Sequence, residues 1–191
     1  MEKVRLVLAS SSKIRRDIIN QYDYKCIFKD HNFDEEGKKK SLKMKPIDLS
    51  LHLAKQKALS LCVEFKDHII LGCDQICLMG ERVLSKPATI ENAIKNLTLL
   101  SGKTHKLIGS YVFVKNGSLI FHETIISTLT MRKLSQTEIS DYVLLDKPLQ
   151  SCGSYMFEKN GYKLFSKVRG SLEEINGLPF KHLMNQLGSY V

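Results

Sequence analysis

The chain has 191 residues, 43% hydrophobic and 26% charged, with 29 Lys and Arg against 20 Asp and Glu. That length and apolar content bury a full core without staples, and the ordinary charged fraction argues against global disorder. The net charge of +9 suits a polyanionic partner, whether nucleotide, nucleic acid or acidic membrane surface, and the five scattered cysteines make no CxxC pair and fit a reducing cytoplasm. No apolar run approaches a membrane span, and the apolar segment near Met1 is too short for the core of a signal peptide. A soluble, cytoplasmic protein of one domain over residues 1–191, with two lobes, is expected.

In chain order, Val4–Ala9 reads as a buried strand that ends at Ser10-Ser11-Ser12. Lys13–Asn20 follows as a short helix with Ile14, Ile18 and Ile19 inward, and Tyr24–Phe28 as a second strand. Residues 29–45 read as an exposed loop holding Lys38-Lys39-Lys40, Lys43 and Lys45; no aromatic residue interleaves them, so a base-stacking platform is missing. A helix opens at Pro46, with Ile47, Leu51, Ala54, Ala58, Leu61 and Phe65 forming the predicted buried stripe. Ile69–Met79 is strand-like on both sides of Asp74, and the chain turns at Gly80. Thr89 is the predicted N-cap of a helix carrying Ala93, Leu97 and Leu100, which ends at Gly102. Asn116-Gly117 between β-rich runs predicts a type I′ hairpin, and Ser135 with Glu138 a capping box opening a helix through Leu145. A strand around Tyr155, another at Lys163–Val168 and a final helix after Pro179 complete the reading. Strands and helices intermix without a strict βαβ rhythm, which predicts an α/β fold with a mixed twisted sheet flanked by helices.

Three places carry candidate chemistry. In "LASSSKIRR" a strand ends in serines and a helix begins with Arg15 and Arg16, so hydroxyls, guanidinium groups and free helix-start amides converge as for a phosphate. No glycine-rich loop accompanies them, which excludes a P-loop or a dinucleotide fingerprint. In "LGCDQICL", Asp74 interrupts an apolar strand and would either hold a divalent metal or take a proton from attacking water. Gln75 points to the opposite face of a regular strand and offers both donor and acceptor to a base edge. Lys86, held extended before Pro87, is a point charge for a phosphate, and "FDEE" around Glu35 offers a carboxylate. The six histidines show neither triad nor metal spacing and read as structural or surface residues.

Taken in order, "LASSSKIRRDII", "FDEE", "LAKQKA", "LGCDQICL", "VLSKP", "LSGKTH", "CGSYMFEKNG" and "INGLPF" resemble the Maf family of nucleoside triphosphate pyrophosphatases over essentially the whole chain. The resemblance implies an α/β fold with a mixed twisted sheet, two lobes with a central cleft, and a homodimer. It implies hydrolysis of the α–β phosphoanhydride of a nucleoside triphosphate to monophosphate and pyrophosphate, as in house-cleaning of noncanonical nucleotides. Carried over by position, Asp74 is the proton acceptor, Ser10, Ser12, Arg15, Lys57 and Lys86 contact substrate, and Glu35 with Asp74 holds a divalent cation, magnesium or manganese. Gln75 and Glu158 match selectivity positions of the branch acting on 7-methyl-GTP, although Ile14 stands where that branch carries Trp. A non-enzymatic protein restraining septum formation is the alternative, and nucleic-acid binding driven by net charge a remoter one.

Overall fold

The structure, a computed structural model, describes residues 5–35, 37 and 43–190. Among them are strands β1 (Leu6–Ala9), β2 (Cys26–Lys29), β3 (Ile69–Met79), β4 (Arg82–Leu84), β5 (Thr104–Lys115), β6 (Ser118–Met131) and β7 (Phe165–Arg169). The helices are α1 (Lys13–Asn20), α2 (Pro46–Leu59), α3 (Ile90–Leu100), α4 (Gln136–Asp146), α5 (Leu172–Ile175) and α6 (Phe180–Leu187), with a 3-10 turn at Gly161–Leu164. The strands hydrogen-bond in the order β2-β1-β3-β5-β6-β7, with β4 on β3. β1 runs parallel to β2 and β3, whereas β3–β4 and β6–β7 are antiparallel. The fold is therefore α/β with a mixed sheet, as the irregular rhythm of elements predicts.

By internal contacts the chain divides into two compact units. One comprises Met1–Asp74, Gly109–Ile125 and Gly177–Val191; the other comprises Gln75–Ile108 and Ile126–Asn176. The chain thus passes from the first unit to the second between Asp74 and Gln75.

In the first unit, strand alternation splits one apolar run into two cores. Leu6 and Leu8 pack with Leu71, Phe113, Ile18, Ile19 and Phe180, while Val7 and Ala9 pack with Ile70, Val112, Ala54 and Ala58. The described part of β1 begins at Leu6, Val4 lying outside the described residues, and β2 starts at Cys26 rather than Tyr24. Tyr24 instead sets its ring edge-on to Phe180, with centroids 5.5 Å apart. Asn116 and Gly117 take φ of 51° and 76°, the two left-handed residues of a type I′ turn.

The predicted stripe of α2 is buried at Ala54, Ala58 and Leu61, with Leu51 and Phe65 packed against the same core, and burial extends beyond it along the helix. Ile47 is 45% exposed, and the buried set is Leu49, Ser50, Leu53, Ala54, Lys57 and Ala58. The helix comes close to β3: a Cβ on Gly72 would stand 2.1 Å from the Ala54 carbonyl oxygen and 2.8 Å from the Ala58 nitrogen. Only glycine admits that backbone contact. Positions 50, 53, 54, 57 and 58 lie inward, two of them polar.

In the second unit Thr89 caps α3 by accepting from the Asn92 amide at 3.2 Å, and Ala93, Leu97 and Leu100 are buried. The α4 capping box is reciprocal: Glu138 N–H donates to Ser135 Oγ at 3.2 Å, and Ser135 N–H to Glu138 Oε2 at 2.8 Å. The segment around Tyr155 is not a strand. Ser154 before it has φ of 58°, and a Cβ on Gly153 would lie 2.4 Å from the Tyr155 ring, so the chain coils and drops that ring into the core. Lys163 and Leu164 belong to the 3-10 turn, and β7 starts at Phe165.

His105, 2% exposed, meets Tyr155 OH through Nε2 at 2.9 Å, while Nδ1 has no partner. Burial pushes its pKa down from 6.5 to about 4. Between those values the unfolded chain binds a proton that the folded chain refuses, so stability contributed above pH 6.5 drains away as pH falls toward 4. The loss is about 3 kcal/mol. Urea unfolding of the native chain is expected to show this slope, and His105→Gln, which can still bond Tyr155, to flatten it. An unchanged slope would assign the acid sensitivity to another group.

Candidate active site

The first unit gathers its polar side chains around the end of β1, the start of α1, the buried face of α2 and Asp74 on β3. Ser10 leaves β1 buried, with its amide bonded to Lys29 O at 3.0 Å and its hydroxyl accepting from the Ser12 amide at 3.2 Å. Ser12 occupies the N-cap of α1, yet its hydroxyl makes no capping bond. The first-turn amides of a helix lack intrahelical acceptors, so this end carries free donors and the positive pole of the helix dipole.

Arg15, in the first turn of α1, is pinned by the backbone. Nε donates to Gly177 O at 2.9 Å, and Nη1 to Cys73 O at 3.0 Å with a longer contact to Ser10 Oγ at 3.5 Å. The Gly177 carbonyl thus supplies an anchor for this guanidinium. Cys73 immediately precedes Asp74, so Arg15 is tied one residue from the carboxylate. Its Nη2 donates to no described acceptor. Arg16 turns to Ser10 O, at 2.8 Å from Nη2, and to Asp30.

Lys57 is the hub. Its Nζ lies 2.8 Å from Asp74 Oδ1 and 2.8 Å from Glu35 Oε2, with side-chain exposures of 6%, 4% and 20% for Lys57, Asp74 and Glu35. Burial works against the ammonium, but Asp74 and then Glu35 outweigh it, so the Lys57 pKa is held above the ordinary lysine value although Arg15 opposes this. The ammonium keeps its proton through the neutral range. Glu35, placed by sequence in an exposed loop, is drawn inward by this pair; Glu36 and Lys38–Lys40 of that loop lie outside the described residues.

Asp74 Oδ2 is buried and has no hydrogen-bond partner among the described residues. A buried carboxylate oxygen left unpaired costs about 1–3 kcal/mol or more, which a folded chain tolerates where a ligand completes it. Cys73 beside it is no nucleophile: burial pushes its thiol up to about 11, against the pull of Arg15 and Lys57.

The remaining candidates belong to the second unit. Gln75 Nε2 donates to Glu174 O at 2.9 Å and to Ile175 O at 3.3 Å, which fixes the amide, and its oxygen accepts from no donor among the described residues. Lys86 and Glu158 are exposed on that unit. The structure therefore brings Ser10, Ser12, Arg15, Glu35, Lys57 and Asp74 together in one unit, and Gln75, Lys86 and Glu158 fall in the other.

The family profile described as Maf-like protein matches residues 5–190. The chain belongs to the Maf-like family. This Maf-like chain is 37% identical over 190 residues to a nucleoside triphosphate pyrophosphatase of Legionella pneumophila strain Corby, an alignment covering 98% of this chain and 94% of that protein. It is 35% identical over 184 residues to a 7-methyl-GTP pyrophosphatase of Bdellovibrio bacteriovorus, covering 96% and 95%. The solved structure of the Staphylococcus aureus Ham1 protein aligns with 97% of this chain and 98% of its own at 14% identity, with a TM-score of 0.47.

The donor set of this Maf-like chain fits a hard divalent cation. Such ions take oxygen ligands, and magnesium in particular is held by one or two carboxylates, with waters and phosphate oxygens filling the other positions. Asp74 offers an unpaired buried oxygen, and Glu35 shares the same ammonium. No group of three or more His, Cys, Asp or Glu with metal-holding geometry occurs among the described residues.

Three contributors escaped sequence reasoning. Ser50 Oγ reaches Asp74 O at 3.5 Å, and Gly72 sets the depth of α2, both visible only once α2 is docked. His31 is close enough to Lys57 and Glu35 to feel both charges; burial first, then Lys57, lowers its pKa and keeps the ring neutral. Nothing in its spacing singles it out. No helix is long and apolar enough to cross a membrane among the described residues.

Proposed function

We propose that this chain hydrolyses nucleoside triphosphates between the α and β phosphates, releasing a nucleoside monophosphate and pyrophosphate. The observation that carries this reading is the Lys57 junction: one buried ammonium grips Glu35 and Asp74 at 2.8 Å each, while Asp74 Oδ2 remains without a donor. A carboxylate clamped by one oxygen presents the other in a fixed direction, the geometry a general base needs. Asp74 Oδ2 takes the proton of the water that attacks the α phosphorus. Lys57 is a positioning residue for it and keeps Glu35 beside it.

Triphosphate resists attack by water until its negative charge is balanced, so catalysis rests on positioning and electrostatics. Arg15 supplies its free Nη2, Ser10 and Ser12 their hydroxyls, and α1 its first-turn amides to phosphate oxygens; Lys86 adds a further cation. Glu35 and Asp74 would hold magnesium or manganese, which would supply charge neutralisation on the phosphates. Gln75 Oε1 and the Glu158 carboxylate are both acceptors. They suit the N–H donors of a guanine edge, and a carboxylate also favours the positive ring of a 7-methylated guanine. The similarity to named pyrophosphatases supports this hydrolase over a protein that only binds and restrains septum formation.

A panel of 7-methyl-GTP, GTP, dTTP, UTP and CTP, assayed with magnesium or manganese, is expected to yield pyrophosphate and monophosphate with guanine substrates ahead. Orthophosphate as the inorganic product, or no turnover of any triphosphate, would overturn the reading.

A further inference from the structure

The second unit carries a cationic surface that the reaction above does not use. Alternation along β6 sends Leu129 and Met131 into the core, so Thr128 and Thr130 face the other side of the sheet. In the β6–β7 register Thr128 pairs with Arg169 and Thr130 with Lys167, and Thr104 of β5 joins through an Oγ1–Oγ1 contact of 2.8 Å to Thr130. These five side chains line a cavity of about 220 Å³.

Neither Lys167 nor Arg169 forms a side-chain ion pair or hydrogen bond among the described residues. Two like charges two positions apart on a strand stand about 7 Å from each other and repel unless an anion sits between them. Cations on an edge strand also discourage pairing with another sheet. That role needs only charge, whereas here a row of hydroxyl donors and a concavity accompany it. No aromatic residue and no carboxylate lines the cavity, so it offers a base no stacking partner and an anion no repulsion. It is smaller than the roughly 300–1,000 Å³ of pockets that enclose drug-sized ligands. One or two phosphoryl groups fit it.

We propose that this face of the second unit is an oxyanion site that takes pyrophosphate or inorganic phosphate through Lys167, Arg169 and the three threonine hydroxyls. Arg169 supplies a planar fork for two phosphoryl oxygens and Lys167 a point charge. In the Thr104–Thr130 pair one hydroxyl hydrogen remains free for the ligand. Only the source of pyrophosphate rests on the hydrolase reading, whose product it is; the site itself does not.

The test is an amide-resolved NMR titration of the full chain, free of divalent metal, with sodium pyrophosphate and separately with sodium phosphate. Saturable shifts are expected at Thr128, Thr130, Lys167 and Arg169, and Arg169→Gln or Thr128→Val is expected to weaken saturation about tenfold. Both replaced side chains lie outside the core, so the variants keep the fold. Tighter binding of pyrophosphate points to the reaction product as ligand, and equal binding to free phosphate; either supports the site. Unmoved β6–β7 amides, an equal response to sodium chloride at matched ionic strength, or equal weakening by Arg15→Gln overturns it. The titration needs no turnover, so a chain inactive on every triphosphate that still binds here sinks the hydrolase reading alone.

Discussion

Asp74→Asn is expected to slow pyrophosphate release by about 10²–10⁴-fold, the usual contribution of a positioned general base, with the fold intact. Asn has the shape of Asp, and its amide oxygen can still accept from Lys57 Nζ, which lies 2.8 Å from Asp74 Oδ1 in the native chain. Lys57 also keeps its second carboxylate, Glu35. What disappears is the basic Oδ2, the atom without a partner. Steady-state rates and a thermal melt measured on the same preparation separate the two effects. Full activity in the variant would remove Asp74 from the chemistry, and a lost rate with a collapsed melting curve would make it a structural residue.

Lys57→Met is expected to destabilise the first unit by about 3–5 kcal/mol, the cost of breaking a buried ion pair from one side. Methionine fills much the same volume, so the loss comes from charge: Asp74 and Glu35, 4% and 20% exposed, would face each other without their shared cation. Adding Asp74→Asn to Lys57→Met should restore part of the stability, since the pair is coupled. Urea unfolding of the two single variants and the double measures this. Simple additivity would mean that the short distances carry no energetic coupling.

Local chemistry made much of the fold legible. The Ser135–Glu138 box, the Thr89 cap and the Asn116-Gly117 turn each depend on neighbours within four residues, so they hold wherever the chain goes. The β3 span Ile69–Met79 was likewise readable, because an apolar run of that length with β-branched residues has few alternatives. Tyr155 misled because its conformation is set by Ser154 in the left-handed region and by Gly153 against its own ring. Ser154 gives no such signal by composition, and Gly153 by itself only weakens a strand.

The candidate site divides in the same way. Asp74 announced itself as a carboxylate inside a buried strand, and Ser10, Ser12 and Arg15 as donors at a helix start, because polar residues in such places need a reason that the neighbouring sequence already poses. Lys57 gave no such signal. It sits among "LAKQKA" like any surface lysine, and it is buried beside Ala54 and Ala58, where α2 docks closely on Gly72. Sequence determined which charges and hydroxyls exist and which elements carry them, since those depend on residue type and short-range geometry. Only the tertiary structure decided that one ammonium holds two carboxylates and leaves Asp74 Oδ2 open, because that pairing joins residues 35, 57 and 74 through the docking of a helix on a strand.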